Sequence, residues 1–186
     1  AGNIDLDFPM VVEVNNRIQT TSTKQIALHG SGDLRAESES ATHPILITGT
    51  LKFDGDGGAG EYENLTFVNV GSITADNAGG SIRLFNQGDL TVKNFTLTQG
   101  NLQLVSSGIM TVAGAVTLSG GGNLTLAAQG SATNTPLIFP IEDNAKNLPF
   151  SLIVNAPIVS DGGKINLTGA YGVRLEPIYS IQEGSF

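Results

Sequence analysis

Apolar and polar residues alternate with period two along most of the chain. Leu90 and Val92, Leu102 and Leu104, Val116 and Leu118, and Leu124 and Leu126 each flank a single Thr or Gln. This is the pattern of short strands with one buried face. Successive side chains change sides, so these eight aliphatics are expected inside, with Thr91, Gln103, Thr117 and Thr125 outside. Helical spacing is nearly absent. Only IEDNAKNLPF (141–150) has room for a turn of helix, and Pro149 limits it.

The strands follow glycines. A G-x-Φ-x-Φ unit (Φ apolar or Ala) begins at Gly32, Gly80, Gly88, Gly100, Gly108, Gly114, Gly122 and Gly163. Gly80 to Gly100 and Gly88 to Gly108 are 20 residues; Gly100 to Gly122 and Gly108 to Gly130 are 22. A fixed period of this length reads as a solenoid, in which a coil too thin to bury its own apolar side stacks on its neighbours. Each unit is then one side of one rung. Gly supplies a positive φ or an uncrowded corner. The expected fold is all-β, a parallel β-helix of roughly 20-residue coils forming one domain over residues 1–186. Residues 1–50 carry longer apolar runs (MVVEV, QIAL, ILITG) and read as irregular coils or as a cap of antiparallel strands covering an open end. The stretch 130–150 contains Pro136, Pro140 and Pro149 and reads as an excursion from the column.

Composition narrows the function classes. Charged residues are 14% of the chain against 24 Gly, which suits tight turns between short strands. The net charge is −8 with only 9 basic residues and no basic block, which argues against nucleic acid and anionic membranes as partners. There is no Cys, hence neither a disulfide framework nor a thiolate metal site. No apolar run approaches the roughly 18 residues of a membrane span, so no membrane insertion is expected. No export signal opens the sequence; if the protein is exported, that signal has been removed or left out.

Residues 88–130 (GDLTVKNFTLTQGNLQLVSSGIMTVAGAVTLSGGGNLTLAAQG) and 151–172 (SLIVNAPIVSDGGKINLTGAYG) resemble the repeat regions of bacterial surface adhesins. The likeness is to the filamentous haemagglutinin-like family exported by two-partner secretion, and to autotransporter passengers. AGGSIRLF (78–85) is similar to the GGAI motif of chlamydial polymorphic membrane proteins, without their FxxN motif or Cys. The resemblance implies a right-handed parallel β-helix and a secreted or cell-surface, outer-membrane-associated location. It implies an outer-membrane transporter during export, and a host or bacterial surface protein or glycan as binding partner. The NPNG-type secretion signature is absent, so this segment is not expected to direct secretion.

Candidate chemistry is sparse. Asp54, Asp56, Glu61 and Glu63 lie in FDGDGGAGEYEN (53–64) and can offer oxygens to Ca²⁺. EF-hand spacing fails, since the twelfth position from Asp54 is Leu65. A weak Ca²⁺ site or a solvated loop is expected, and no other cofactor. Enzymes that share the parallel β-helix act mostly on acidic polysaccharides; the hydrolases pair two carboxylates, and the lyases use Ca²⁺ with basic side chains. Here Asp33, Asp76, Asp89 and Asp161 sit beside Gly or Asn as turn formers, and His29 and His43 are isolated. No catalytic residues are assigned. Four N-x-T sequons (Asn64, Asn94, Asn123, Asn166) follow from the repeat itself, with Asn expected at left-handed corners. Thr91, Thr111, Thr117 and Thr125 recur at outward positions, but Arg83 and Gln103 break any regular array. The expected function is therefore structural and adhesive, with a polysaccharide lyase or hydrolase as the alternative.

Overall fold

The computed structural model describes residues 2–14, 16–36, 43–60, 65–130 and 150–176. The chain forms β1 (Ile4–Asp7), β2 (Val12–Val14), β3 (Ile18–Gln19), β4 (Gln25–His29), β5 (Leu34–Ala36) and β6 (Leu46–Asp54). It continues through β7 (Thr66–Ala78), β8 (Ile82–Asn86), β9 (Leu90–Leu97), β10 (Leu102–Ser106), β11 (Met110–Val112) and β12 (Val116–Leu118). The last strands are β13 (Leu124–Ala128), β14 (Leu152–Val154), β15 (Ile158–Ser160), β16 (Ile165–Gly169) and β17 (Val173–Leu175). No helix occurs among the described residues, and every strand pair is parallel. The architecture is a β-solenoid of about six turns.

Three faces build each coil. On the first, β2, β5, β8, β10, β13 and β16 stack, with Ala59 bridging Leu34 and Ile82. The second stacks β1, β4, the later part of β6, the middle of β7, the start of β9, β11, β14 and β17. The third stacks the end of β9 under β12 and β15. The two interleaved glycine series are thus two faces of one coil, and the unit at Gly114 opens the third. The eight aliphatics expected inside are all buried at 2% exposure or less. Rows run through the coils, such as Leu84, Leu104 and Leu126 on the first face and Leu51, Ile73, Val92 and Val112 on the second. Each fully buried aliphatic contributes about 1.5–3 kcal/mol, so the rows are the main cohesive term.

The corner before the first face explains the glycine repeat. A Cβ on Gly122 would fall on the carbonyl oxygen of Gly100, and one on Gly163 on that of Gly122. Neither residue has a positive φ, so crowding between coils selects glycine here. Side chains tie the same corner from coil to coil. Ser81 Oγ accepts from Asn101 N–H (3.0 Å), Asn101 Oδ1 from Asn123 N–H (2.8 Å), and Asn123 Oδ1 from Lys164 N–H (2.9 Å). This corrects the expectation of left-handed Asn corners. Asn77 alone among the described non-glycine residues has a positive φ, and Asn101 and Asn123 serve as ladder acceptors.

The strands within residues 1–50 are rungs of the same column, paired in parallel; they do not form an antiparallel cap. Their coils differ in one place. Ile82 and Asn86 are four residues apart, as are Leu102 and Ser106 above them. Ala59 and Val68, stacked below, are nine apart; Leu34 and Leu46 are twelve apart; Val12 and Ile18 are six. Three consecutive coils therefore carry extra residues at one point of the first face.

Beyond β13 the column is left at Gly130, whose N–H donates to Gly108 O (3.2 Å), and resumes where Met110 N–H donates to Ser151 O (2.8 Å). The expected excursion over 130–150, with its helical turn, lies at 131–149 outside the described residues. In the last described coil the inward rows open. Ile165 and Leu175 are exposed, at 45% and 65%, where equivalent residues below are buried.

Candidate functional site

Strand alternation places two groups of charged side chains on the surface. The first group lies on the second face. Asp7, His29 and Asp54 share one outward row, with Asp5 and Lys52 in the row beside it. Lys52 Nζ donates to Asp54 Oδ2 at 2.7 Å. That hydrogen bond, and the Lys52 charge behind it, hold the Asp54 carboxyl below its ordinary value and raise Lys52 above its own. His29 stands between two carboxylates, Nε2 at 3.7 Å from Asp5 and Nδ1 at 3.7 Å from Asp54, too far for hydrogen bonds. The side chains are 34%, 69% and 39% exposed for His29, Asp5 and Asp54, so this is an open surface network.

The Ca²⁺ candidates do not gather there. Asp54 turns to Lys52, Asp56 is exposed at the following corner, and Glu61 and Glu63 lie outside the described residues. Among the described residues no group of three or more His, Asp or Glu side chains is arranged to hold a metal ion. The remaining acids serve turns. Asp33 Oδ1 accepts from Gly58 N–H (2.9 Å), Asp89 Oδ1 accepts from Ile109 N–H (2.8 Å), and Asp76 and Asp161 are exposed. His43 is exposed away from His29. Asn94, Asn123 and Asn166 are exposed, and Asn64 is outside the described residues. The four threonines divide among three faces: Thr91 and Thr111 stack on the second, Thr117 lies on the third and Thr125 on the first.

The second group was not legible in the linear sequence, where basic residues are spread singly. On the first face one outward row runs Glu13, Arg35, Gly60, Arg83, Gln103, Thr125 and Asn166. Gly60 is held in that row by bonds on both sides: its N–H donates to Leu34 O (3.0 Å), and Arg83 N–H donates to Ala59 O (2.8 Å). Having no side chain, it leaves a gap between the two arginines. The gap opens into a cleft of about 560 Å³ lined by Arg35, Arg83, Gly80, Ser81, Asn101 and Asp33. Two residues further along each strand runs an apolar outward row of Phe67, Phe85, Val105 and Ala127. Phe67 and Phe85 are half-buried, with ring centroids 5.1 Å apart and planes inclined at 45°. The second-face network is saturated by its own ion pairs. The first face presents guanidinium groups and aromatic rings side by side.

Comparison with known proteins gave no match: no family model, no curated protein and no solved structure is significantly similar to this chain.

Proposed function

We propose that this chain is a non-catalytic, adhesive β-solenoid segment of a secreted or surface-displayed bacterial protein. Its partners are host or bacterial surface proteins or glycans, engaged through outward faces, and an outer-membrane transporter serves its export. The observation that carries this reading is the division of labour among the polar groups. The described carboxylates are spent on turns (Asp33, Asp89) or on Lys52 (Asp54), on different faces. The first face meanwhile offers aromatic and guanidinium side chains suited to contact rather than proton transfer.

The test is retention against turnover. Labelled protein is added to epithelial cells, to bacterial cells and to immobilised matrix glycans, and the supernatants are assayed for new reducing or unsaturated sugar ends. Saturable retention with no released product is expected. Product accumulating in proportion to protein would make the chain a polysaccharide-degrading enzyme, and failure to adhere to any of the surfaces would end the adhesive reading.

A further inference from the structure

We propose that the cleft between Arg35 and Arg83 binds the carboxylate groups of an acidic saccharide, with Phe67 and Phe85 supporting its sugar rings. This names a ligand class for the adhesive reading above and rests on it. The geometry comes from the register. Arg35, Gly60 and Arg83 occupy one row on three successive rungs. Rungs are about 4.8 Å apart, so the two arginine positions are separated by roughly 10 Å with a glycine floor between them. Phe85 is two residues beyond Arg83 on β8, about 7 Å along the same outward surface. The result is a shallow platform with a cationic side and an aromatic side.

Charge complementarity sets the sign of the ligand. In a chain of net charge −8 with nine basic residues, two arginines on one cleft are a local concentration of positive charge. Arginine presents a planar fork that meets a carboxylate with two parallel hydrogen bonds. The one carboxylate lining the cleft, Asp33, is turned to the corner by the Gly58 N–H. Ser81 and Asn101 add polar groups at the rim.

The backbone decides between a saccharide and an acidic peptide. A peptide most readily adds to a sheet by pairing with an open edge. On this face each rung from Ala59 to Leu124 is already bonded to rungs above and below. Only side chains are on offer, and rings beside guanidinium groups match flat sugar rings that carry carboxylates.

The experiment is calorimetric titration of the full chain with a galacturonic acid hexamer, a neutral galactose hexamer and a glutamate hexapeptide. Binding of the acidic sugar alone is expected, weakening as salt rises. Arg83→Gln and Arg35→Gln should each lower affinity at least tenfold, Phe85→Ala several-fold, and Lys164→Gln on the last coil not at all. Arg83→Lys, which keeps the charge and loses the fork, should fall between wild type and Arg83→Gln; it also serves if Arg83→Gln does not fold. Equal binding of the neutral sugar, equal binding of the peptide, or unchanged affinity in folded Arg83→Gln or Arg83→Lys protein would overturn the site. The adhesive reading fails separately. Wild-type protein that attaches to cells but binds no acidic sugar removes this cleft and leaves adhesion standing. Protein that binds the sugar but attaches to no cell does the reverse.

Discussion

The coils from Ile82 to Ala128 and those from Val12 to Val68 use the same column and treat its outside differently. In the central coils the first face turns over in five residues, with strict inward and outward alternation and an Asn ladder at the corner. In the N-terminal coils the inner rows persist, through Leu34, Leu46, Leu51 and Ile73, but two to eight extra residues enter at one point of the first face. The cleft forms where the two regimes meet, with Arg35 and Gly60 from the irregular side and Arg83 from the regular one. A solenoid needs only its inward rows and corners to stack, so insertions on an outward loop add modest closure entropy and leave the column intact. The region that departs from the repeat is the region able to carry a site.

The largest expected effect sets inside against outside within one central strand. Leu104 is fully buried between Leu84 and Leu126; Gln103 beside it points out. Leu104→Asp puts a carboxylate into a dry column and should cost more than about 4 kcal/mol, enough to lose the fold. Gln103→Asp should stay within roughly 0.5 kcal/mol. Urea unfolding of both variants is the measurement, and similar losses would show the register to be wrong.

The next effect separates two reasons for glycine. Gly122 has an ordinary φ but no room, while Gly88 has φ +97° and nothing near its missing Cβ. Gly122→Ala must push adjacent coils apart and should cost about 1–3 kcal/mol. Gly88→Ala meets only the left-handed backbone penalty, about 1 kcal/mol. A cost at Gly88 that exceeds the cost at Gly122 would show that φ, not stacking, drives the repeat.

The inner rows and the coil length were legible in the sequence because both are local. Period-two alternation marks which of Leu102, Gln103 and Leu104 face inward, and the spacing of Gly80, Gly100 and Gly122 gives the turn. The cleft was not legible. Arg35 and Arg83 are 48 residues apart, with two insertions between them, so no fixed period links them. Their shared row appears only when Ala59 is known to bridge Leu34 and Ile82, and Ala59 sits in a glycine-rich stretch with no strand signature. The same insertion hid the partners of Asp54. Lys52 is two residues away and visible, but His29 and Asp5 reach it only through the rungs below.

A smaller effect tests whether the irregular coils were left less than optimal inside. Thr66 fills the place held by Leu84, Leu104 and Leu126 in its row, and its Oγ1 is buried without a hydrogen-bond partner. Thr66→Val keeps the shape and removes the unsatisfied hydroxyl. It should raise stability by roughly 1 kcal/mol, read as a higher denaturation midpoint at unchanged slope. A loss of stability would mean that the hydroxyl is satisfied in solution.

The smallest effect concerns pH and belongs to the N-terminal coils, where Lys52 and Asp54 pair on an open surface. Asp54 is lowered from 3.8, mainly by the hydrogen bond from Lys52. Its contribution is therefore present above the unfolded value and lost as pH falls through the folded one. Lys52 is raised from 10.5, mainly by the same bond. Its contribution is present below 10.5 and lost as pH rises through the folded value. Between these limits the pair gives a flat increment, and solvent screening keeps it to a few tenths of a kcal/mol, no more than about 1. Lys52→Met should thus be slightly less stable than wild type from about pH 5 to 9, and the gap should narrow below about pH 4 as Asp54 takes up its proton. Lys93→Met, on β9 among the central coils and exposed, is the companion variant; its difference from wild type should show no comparable narrowing in acid. Urea midpoints of the three proteins at pH 7 and pH 3 decide the matter. A Lys52→Met deficit that persists at pH 3 would mean that the lysine acts by packing its stem over Phe53 and its neighbours rather than by pairing with Asp54.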